Sequence, residues 1–391
     1  MKPTERILPF LLAALMLTLW TLALRSADSL GSTAVGVSAK WQDGVSPSQL
    51  VRAERRIVED GGEIANITLY DTLSSAKLTV GDVEAEAELT RVYGDAEAVD
   101  PSGFVAGAHP PRGDIAVSLS SALAESLFGS SDIVGAELSI DGKPYTVRGV
   151  FDSSDMSALV MLPDDSADTL TRALILTDDG VERAETVLNI YGLPSAGLCD
   201  LSFVAWFARA MTGLPAALLL VFTLGGLLTR GLRLRFYPLL LLGYLPLAVL
   251  AAVGLFFAAG GVSIPSRLIP SRYSDFEFWG RVFSRSIGAL FDEFMSYSDH
   301  RAFGQIAALC SSALLGVSAA AIAPTWLRRT TDSPDRLAVC AFVGAGALAS
   351  LMLAGLAADR AMIFLPTVCV AVRAVFRERE VTGYEAPQVK V

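Results

Sequence analysis

The sequence has few of the side chains that usually bind metals or carry out acid–base catalysis. Among its 391 residues are four cysteines and two histidines, His109 and His300, which lie far apart in the chain. The cysteine spacing matches neither a zinc site nor a disulfide framework. A Gly-x-x-x-x-Gly-Lys-Ser/Thr phosphate loop and a Gly-x-Ser-x-Gly nucleophile elbow are also missing from the sequence. We therefore predict a protein that is not an enzyme, with no catalytic residues, no metal site and no cofactor.

Charged residues are scarce and unevenly distributed. They make up 18% of the chain against 52% hydrophobic residues, and the mean hydropathy is +0.48. Residues 26–200 contain 29 acidic and 11 basic residues, whereas the whole chain has a net charge of −10. This composition excludes a disordered or collagen-like chain and argues against an ordinary soluble enzyme. Because nucleic acid repels an acidic surface, we predict no nucleic-acid partner.

Long apolar segments are abundant, and a helix needs about 20 mostly apolar residues to cross a bilayer core. The segments that reach or approach this length are Ile7–Leu24, Met211–Leu228, Tyr237–Val262, Phe303–Leu327, Leu337–Ala358 and the shorter Met362–Phe376. The first is longer than a typical signal-peptide core, and no Ala-x-Ala site follows it, which favours a membrane anchor over a cleaved signal. We therefore expect the lipid bilayer to surround five or six of these segments.

Basic residues predict the orientation of these segments, because short cytoplasmic loops are enriched in lysine and arginine. With the amino terminus inside the cell, residues 1–6, 229–236, 327–336 and 373–391 face the cytoplasm and together carry 12 basic residues. Residues 26–200 then lie outside the cytoplasm, and both termini lie inside it.

The loop 263–302 has the pattern of an amphipathic helix that begins at Ser274. Its apolar residues recur at steps of three and four, and they are Phe276, Trp279, Phe283, Ile287, Leu290 and Phe294. Such a helix suits the membrane interface, and it equally suits packing on neighbouring spans or on the external domain. The five arginines of this loop oppose the orientation given above, but five acidic residues accompany them.

Residues 26–200 alternate between strand and helix patterns, which predicts a mixed α+β domain with one core. Ser46–Gln49 combines an N-cap serine, a first-turn proline and a capping-box glutamine. The apolar face of the helix that follows consists of Leu50, Ala53, Ile57 and Val58. Asp141-Gly142, between the strand patterns Ala136–Ile140 and Tyr145–Val150, predicts a β-hairpin.

The stretch Ile115–Phe151 carries an ordered set of turn and core residues. A strand and a short helix end in Leu-Phe-Gly, an Asp-x-Val-Gly turn follows, and a hairpin closes on Val-x-Gly-Val. This stretch resembles the MacB-like periplasmic core domain of ABC-transporter permeases in the MacB/FtsX superfamily. We interpret its residues as structural: Phe128 joins Leu127, Val134 and Leu138 in the core. Gly129 and Gly135 allow tight turns, Gly142 belongs to the hairpin turn, and Gly149 is a structural residue of the closing Val-x-Gly-Val.

The resemblance implies a permease-like subunit of a transport or mechanotransmission complex, energised by a separate ABC ATPase. The carboxyl half departs from the family, because about four spans follow residue 200 and segment 229–236 is too short for a coupling helix. We therefore expect an ATPase to dock mainly on Arg328, Arg329 and Arg336. The alternatives are that these arginines only fix orientation, and that the protein is a membrane-anchored binding or scaffold protein without transport activity. A homodimer is a further possible assembly.

The sequence as a whole predicts a multi-span α-helical membrane protein with one extracytoplasmic α+β domain. Its predicted parts are an N-terminal transmembrane anchor (1–25), the MacB-like core domain (26–200), two transmembrane helices (201–262), an external amphipathic loop (263–302), two to three transmembrane helices (303–377) and a cytoplasmic tail (378–391).

Overall fold

The computed structural model describes residues 3–33, 36–177, 180–193, 197–233, 300–332, 335–353 and 362–382, with isolated positions between 244 and 288. The chain forms two compact units. Residues 1–30, 206–265 and 307–391 make up the helical unit, and residues 31–205 and 266–306 make up the sheet unit.

The elements follow one another along the chain with a long run of strands between the first and the later helices. In order they are α1 (Pro3–Thr33), β1 (Val37–Val45), α2 (Pro47–Glu59), β2 (Ile67–Val80), β3 (Val83–Tyr93), α3 (Ala96–Val99), β4 (Phe104–Gly107), β5 (Ala116–Ser120), α4 (Ser121–Phe128), β6 (Glu137–Ile140), β7 (Lys143–Phe151), β8 (Ser157–Met161), β9 (Leu170–Ile175), α5 (Val181–Tyr191), β10 (Gly197–Asp200), α6 (Leu201–Arg233), α7 (His300–Asp332), α8 (Arg336–Leu353) and α9 (Leu365–Thr382).

The sheet unit contains a ten-stranded sheet in the order β10-β1-β9-β2-β3-β8-β5-β7-β4, with β6 paired to β2 and β7. Most neighbouring strands are antiparallel, whereas β3 with β8 and β5 with β7 are parallel. β2 and β3 form a long hairpin with a bulge between Leu73 and Ala76.

The buried apolar residues of the sheet unit form separate clusters instead of the single predicted core. One cluster packs α2 and α5 against β1, β2 and β9, with Leu50, Ala53 and Leu188 at its centre. Another packs α4 against β5, β7 and β8 around Leu119 and Leu123. The long strands β2 and β3 contribute to both clusters, so they connect the two halves of the sheet.

Local sequence patterns correctly predicted a helix and a hairpin of the sheet unit. The predicted helix at Ser46 is confirmed with both bonds of its capping box, since Ser46 Oγ accepts the Gln49 N–H and Gln49 Oε1 accepts the Ser46 N–H. The predicted hairpin is confirmed as β6 and β7, which turn at Asp141-Gly142.

Two residues predicted to face the core are exposed. Val58 follows Ile57 directly, and this one-residue step of about 100° turns its side chain away from the stripe that faces the sheet. In the turn after α4, Ile133 is buried and Val134 is 47% exposed, so the core position belongs to Ile133.

The helical unit has an apolar core to which α1, α6, α7, α8 and α9 all contribute. Trp20 and Trp326 are fully buried in it, and Trp20 Nε1 donates to the Thr212 carbonyl at 2.8 Å. A Cβ at Gly316 would lie 2.6 Å from the Met211 carbonyl oxygen, so glycine permits α7 to approach α6 closely.

Among the described residues, three helices are long and apolar enough to cross a membrane: Arg6–Leu30, Leu201–Leu232 and Gly304–Thr331. They contain three of the predicted spans. Arg336–Met352 and Met362–Ala374 are shorter apolar helices. The predicted span Tyr237–Val262, the amphipathic loop 263–302 and most of the tail 378–391 lie outside the described residues.

Candidate functional site

The first and last strands of the sheet unit pair with each other, so the chain enters and leaves the unit at one place. β1 and β10 are antiparallel, with Val37 opposite Asp200. Thr33 ends α1 four residues before Val37, and Leu201 begins α6 directly after Asp200. The end of α1 and the start of α6 therefore lead to neighbouring strands of the sheet.

We define the junction as Gly36, Asp200, Leu201 and Ser202. Hydrogen bonds between Gly36 and the first residues of α6 stabilise it. The Gly36 carbonyl accepts the N–H groups of Leu201 and Ser202 at 3.1 and 3.3 Å. The Gly36 N–H donates in return to Ser202 Oγ at 2.9 Å. The start of α6 is therefore fixed to the start of β1.

A helix cap and a sterically constrained glycine also define the backbone of the junction. An Asp200 carboxylate oxygen accepts the Phe203 N–H at 2.9 Å, and this bond caps α6. Gly36 has a φ of 77°, and a Cβ at this position would overlap the carbonyl oxygen of Ile175. Only glycine fits there, because side chains disfavour this φ and the sheet leaves no space.

A polar network joins four separate segments of the sheet unit: Glu54 of α2, Tyr93 at the end of β3, Arg112 after β4 and Asp164 after β8. Arg112 Nη1 donates to Glu54 Oε1 at 3.0 Å, and Arg112 Nη2 donates to Tyr93 Oη at 2.8 Å. Tyr93 Oη donates to Asp164 Oδ1 at 2.9 Å. The Arg112 guanidinium also lies 4.6 Å from the centre of the Tyr93 ring.

The network stabilises the charged form of Arg112 and the neutral form of Tyr93. Burial raises the pKa of Tyr93 to about 12; the Asp164 carboxylate adds to this effect and Arg112 opposes it. Burial alone lowers the pKa of Arg112, but its contacts with Glu54 and Tyr93 raise it above the ordinary arginine value. Because every member has a partner, we interpret the network as a positioning device for the segments that it joins.

A cleft of about 570 Å³ opens beside this network, and we call it the arginine cleft. Its lining residues are Gly44, Gln49, Arg52, Arg55, Arg56, Tyr191, Gly192 and Leu193. Tyr191 Oη accepts the N–H of Ala65 at 2.7 Å, and burial raises the pKa of Tyr191 above its ordinary value. The cleft therefore combines three guanidinium groups with a fixed neutral phenol.

The glycines singled out in the sequence lie at turns and close approaches. Gly129, Gly135 and Gly142 have φ values of 69°, 90° and 82°. A Cβ at Gly149 would lie 2.5 Å from the Ala108 carbonyl oxygen and from the Phe104 ring. Phe128 is half-buried against the core around α4.

The arginines proposed for ATPase docking lie at two neighbouring helix ends of the helical unit. Arg328 and Arg329 are exposed in the last turns of α7, and half-buried Arg336 begins α8. Three residues separate Asp332 from Arg336, so the chain keeps both helix ends close together.

Sequence reasoning missed the junction, the polar network and the arginine cleft. The junction and the network depend on contacts between distant positions, and no local pattern signals them. The cleft had a readable signal, because Arg-x-x-Arg-Arg at positions 52–56 interrupts an acidic domain.

Comparisons with known proteins give one family model and several similar solved structures. Residues 11–191 match the family model of the MacB-like periplasmic core domain. The periplasmic region of MacB from Actinobacillus actinomycetemcomitans is similar at 12% identity, with 45% of this chain and 94% of that chain covered and a TM-score of 0.34. The extracellular domain of the noncanonic ABC-type transporter YknZ from Gram-positive bacteria is similar at 16% identity, with 40% and 89% covered and a TM-score of 0.31.

No curated protein matches the chain. The family match begins within α1, includes the whole Leu-Phe-Gly to Val-x-Gly-Val stretch and ends with α5. Residues 11–191 are therefore similar to the MacB-like periplasmic core domain.

Proposed function

We propose that the protein is the permease-like membrane subunit of an ABC-type transport or mechanotransmission complex driven by a separate ATPase. The observation that carries this proposal is the placement of the MacB-like domain between α1 and α6, two helices long and apolar enough to cross a membrane. The β1–β10 pairing connects both helices to one sheet edge. A movement of these helices is thereby passed into the external domain.

The proposal includes a multi-pass topology in the cell membrane. Residues 26–200 lie outside the cytoplasm, and the segments with most basic residues lie inside it. The remaining apolar helices α7, α8 and α9 pack with α1 and α6 around one core, which supports a single bundle in the bilayer. Residues 201–262 and 303–377 provide the further spans.

ATPase docking is proposed at the ends of α7 and α8. Arg328 and Arg329 project from α7 as two adjacent exposed cations, and Arg336 follows at the start of α8. Exposed arginines suit an acidic groove of a nucleotide-binding subunit, because their guanidinium groups form paired hydrogen bonds with carboxylates.

Co-purification with any ABC ATPase that is encoded beside this protein tests the proposal. The wild-type chain should retain the ATPase in neutral detergent, and Arg328→Glu/Arg329→Glu should release it. Arg183→Glu, at an exposed arginine of α5, serves as the control and should retain it. If the wild type retains no ATPase, the membrane-anchored scaffold is the better account. If only Arg233→Glu releases the ATPase, docking belongs to the end of α6.

A further inference from the structure

The arginine cleft concentrates positive charge in a unit that is otherwise acidic. Residues 26–200 contain 11 basic residues against 29 acidic ones, and three of the 11 lie within five positions of α2. Arg52 stands three and four residues before Arg55 and Arg56, so the three side chains share one side of the helix. Like charges at this spacing destabilise a helix, and packing does not require them because all three are exposed.

Neighbouring carboxylates leave this charge unneutralised. Glu54, on the same helix, is held by Arg112. Glu59, the other acid of α2, is exposed and makes no ion pair with Arg55 or Arg56. Within residues 36–177 and 180–193, no carboxylate lies in ion-pair contact with any of the three guanidinium groups.

The remaining lining residues of the arginine cleft provide a further hydrogen-bond donor, and the volume of the cleft suits a small molecule. Gln49 uses its side-chain oxygen for the capping box, so its NH₂ group is what remains for a ligand. Gly192 ends α5 with a φ of 63°, a backbone conformation that favours glycine. A volume of about 570 Å³ is within the usual range for small-molecule sites.

From these features we infer that the arginine cleft binds a phosphate ester. A single carboxylate has two oxygens and one negative charge, and it can accept a pair of parallel hydrogen bonds from one guanidinium group. Three guanidinium groups that line one cleft need a ligand with more acceptor oxygens and a charge near −2, and a phosphate monoester supplies both. Leu193 and the Tyr191 ring provide an apolar wall for the carbon part of the ligand.

The phosphate ester has two sources, a soluble metabolite or the headgroup of a phospholipid. The inference goes beyond the proposed transport function and needs no ATPase. Titration of the full-length protein in zwitterionic nanodiscs with glycerol 3-phosphate measures the soluble source. Nanodiscs containing phosphatidic acid, compared with phosphatidylcholine alone, measure the lipid source through the rise in melting temperature of the sheet unit.

At least one of these probes should bind, and Arg55→Gln/Arg56→Gln should weaken its binding at least tenfold. Arg183→Gln removes an exposed arginine outside the cleft and should change binding less than twofold. If the double variant fails to fold, Arg52→Gln takes its place and should weaken binding at least threefold. The inference is overturned if no phosphate probe binds, if succinate binds as tightly as the phosphate probe, or if cleft and control variants bind alike.

Discussion

Arg112 is the residue on which the polar network depends, because it contacts both Glu54 and Tyr93. Arg112→Met keeps most of the side-chain length but leaves the Glu54 carboxylate without its partner in a site that is 8% exposed. We expect a loss of roughly 1.5–3 kcal/mol in unfolding free energy, the range for hydrogen bonds to charged groups. Chemical unfolding of the full chain in neutral detergent measures this loss.

Arg148→Met is the matched control for Arg112. Arg148 also pairs with a carboxylate, that of Asp114 at 3.1 Å, but its side chain is 54% exposed. Exposed pairs contribute about 0–1 kcal/mol. Equal losses for both variants would show that the network adds nothing beyond an ordinary surface ion pair.

Ionisation of Tyr93 should destabilise the folded domain at high pH. Its pKa is about 12 in the folded protein against the ordinary tyrosine value of 10.0, so folding favours the neutral form. This stabilisation is complete below pH 10 and is lost as the pH rises from about 10 to about 12. We expect Tyr93→Phe to lower the melting temperature at pH 8 through its lost hydrogen bonds, and to flatten the decline between pH 10 and 12. A decline of the same steepness in wild type and variant would contradict this role.

At the scale of elements, α4 contains a buried apolar residue and the turn that follows it contains an exposed one. Leu127 is 4% exposed, whereas Val134, seven residues later, is 47% exposed. Leu127→Ala should cost about 2–5 kcal/mol because it opens a cavity. Val134→Ala should stay within about 0.5 kcal/mol, as surface substitutions do. Thermal unfolding of both variants checks the difference, and a larger effect at Val134 would show that the turn packs against a partner.

The junction predicts that the Ser202 hydroxyl contributes to the coupling of α6 to the sheet, alongside the two bonds to the Gly36 carbonyl. Ser202→Ala leaves the buried Gly36 N–H without its acceptor, which should cost about 1–3 kcal/mol. Ser130→Ala removes a serine bond to the Asp132 N–H at an exposed turn, where water replaces it. We therefore expect faster amide exchange at residues 36–40 and 197–200 in the Ser202 variant only. Exchange that is unchanged in both variants would show that the junction is not held by this bond.

Local patterns predicted the elements better than their arrangement. The cap at Ser46 and the hairpin at Asp141-Gly142 follow from interactions within a few residues, so the sequence displays them directly. The pairing of Val37 with Asp200 and the contact of Arg112 with Glu54 join positions far apart in the chain, and nothing near either residue encodes its partner. Val134 was misplaced because a turn, unlike a helix or strand, gives no period that assigns side chains to a face.

At the scale of the whole molecule, acidic and basic residues are concentrated in different parts of the chain. Residues 26–200 carry a large excess of acidic residues, whereas residues 327–336 carry three arginines and two aspartates within ten positions. Short loops rich in lysine and arginine are retained in the cytoplasm during insertion, whereas long domains are translocated largely regardless of their charge. The proposed permease therefore requires the MacB-like domain and the Arg328–Arg329 pair to lie on opposite sides of the membrane.

Labelling of single cysteines in intact cells tests this arrangement most directly. The four native cysteines are first replaced, so that only the introduced thiols can react. Cysteines are then introduced at Ser130, in an exposed turn of the MacB-like domain, and at Thr331, beside the arginine pair. A membrane-impermeant maleimide should label the Ser130 position in intact cells and the Thr331 position only after the membrane is opened. Labelling of the Thr331 position but not of the Ser130 position in intact cells would contradict the proposed topology, and with it the permease.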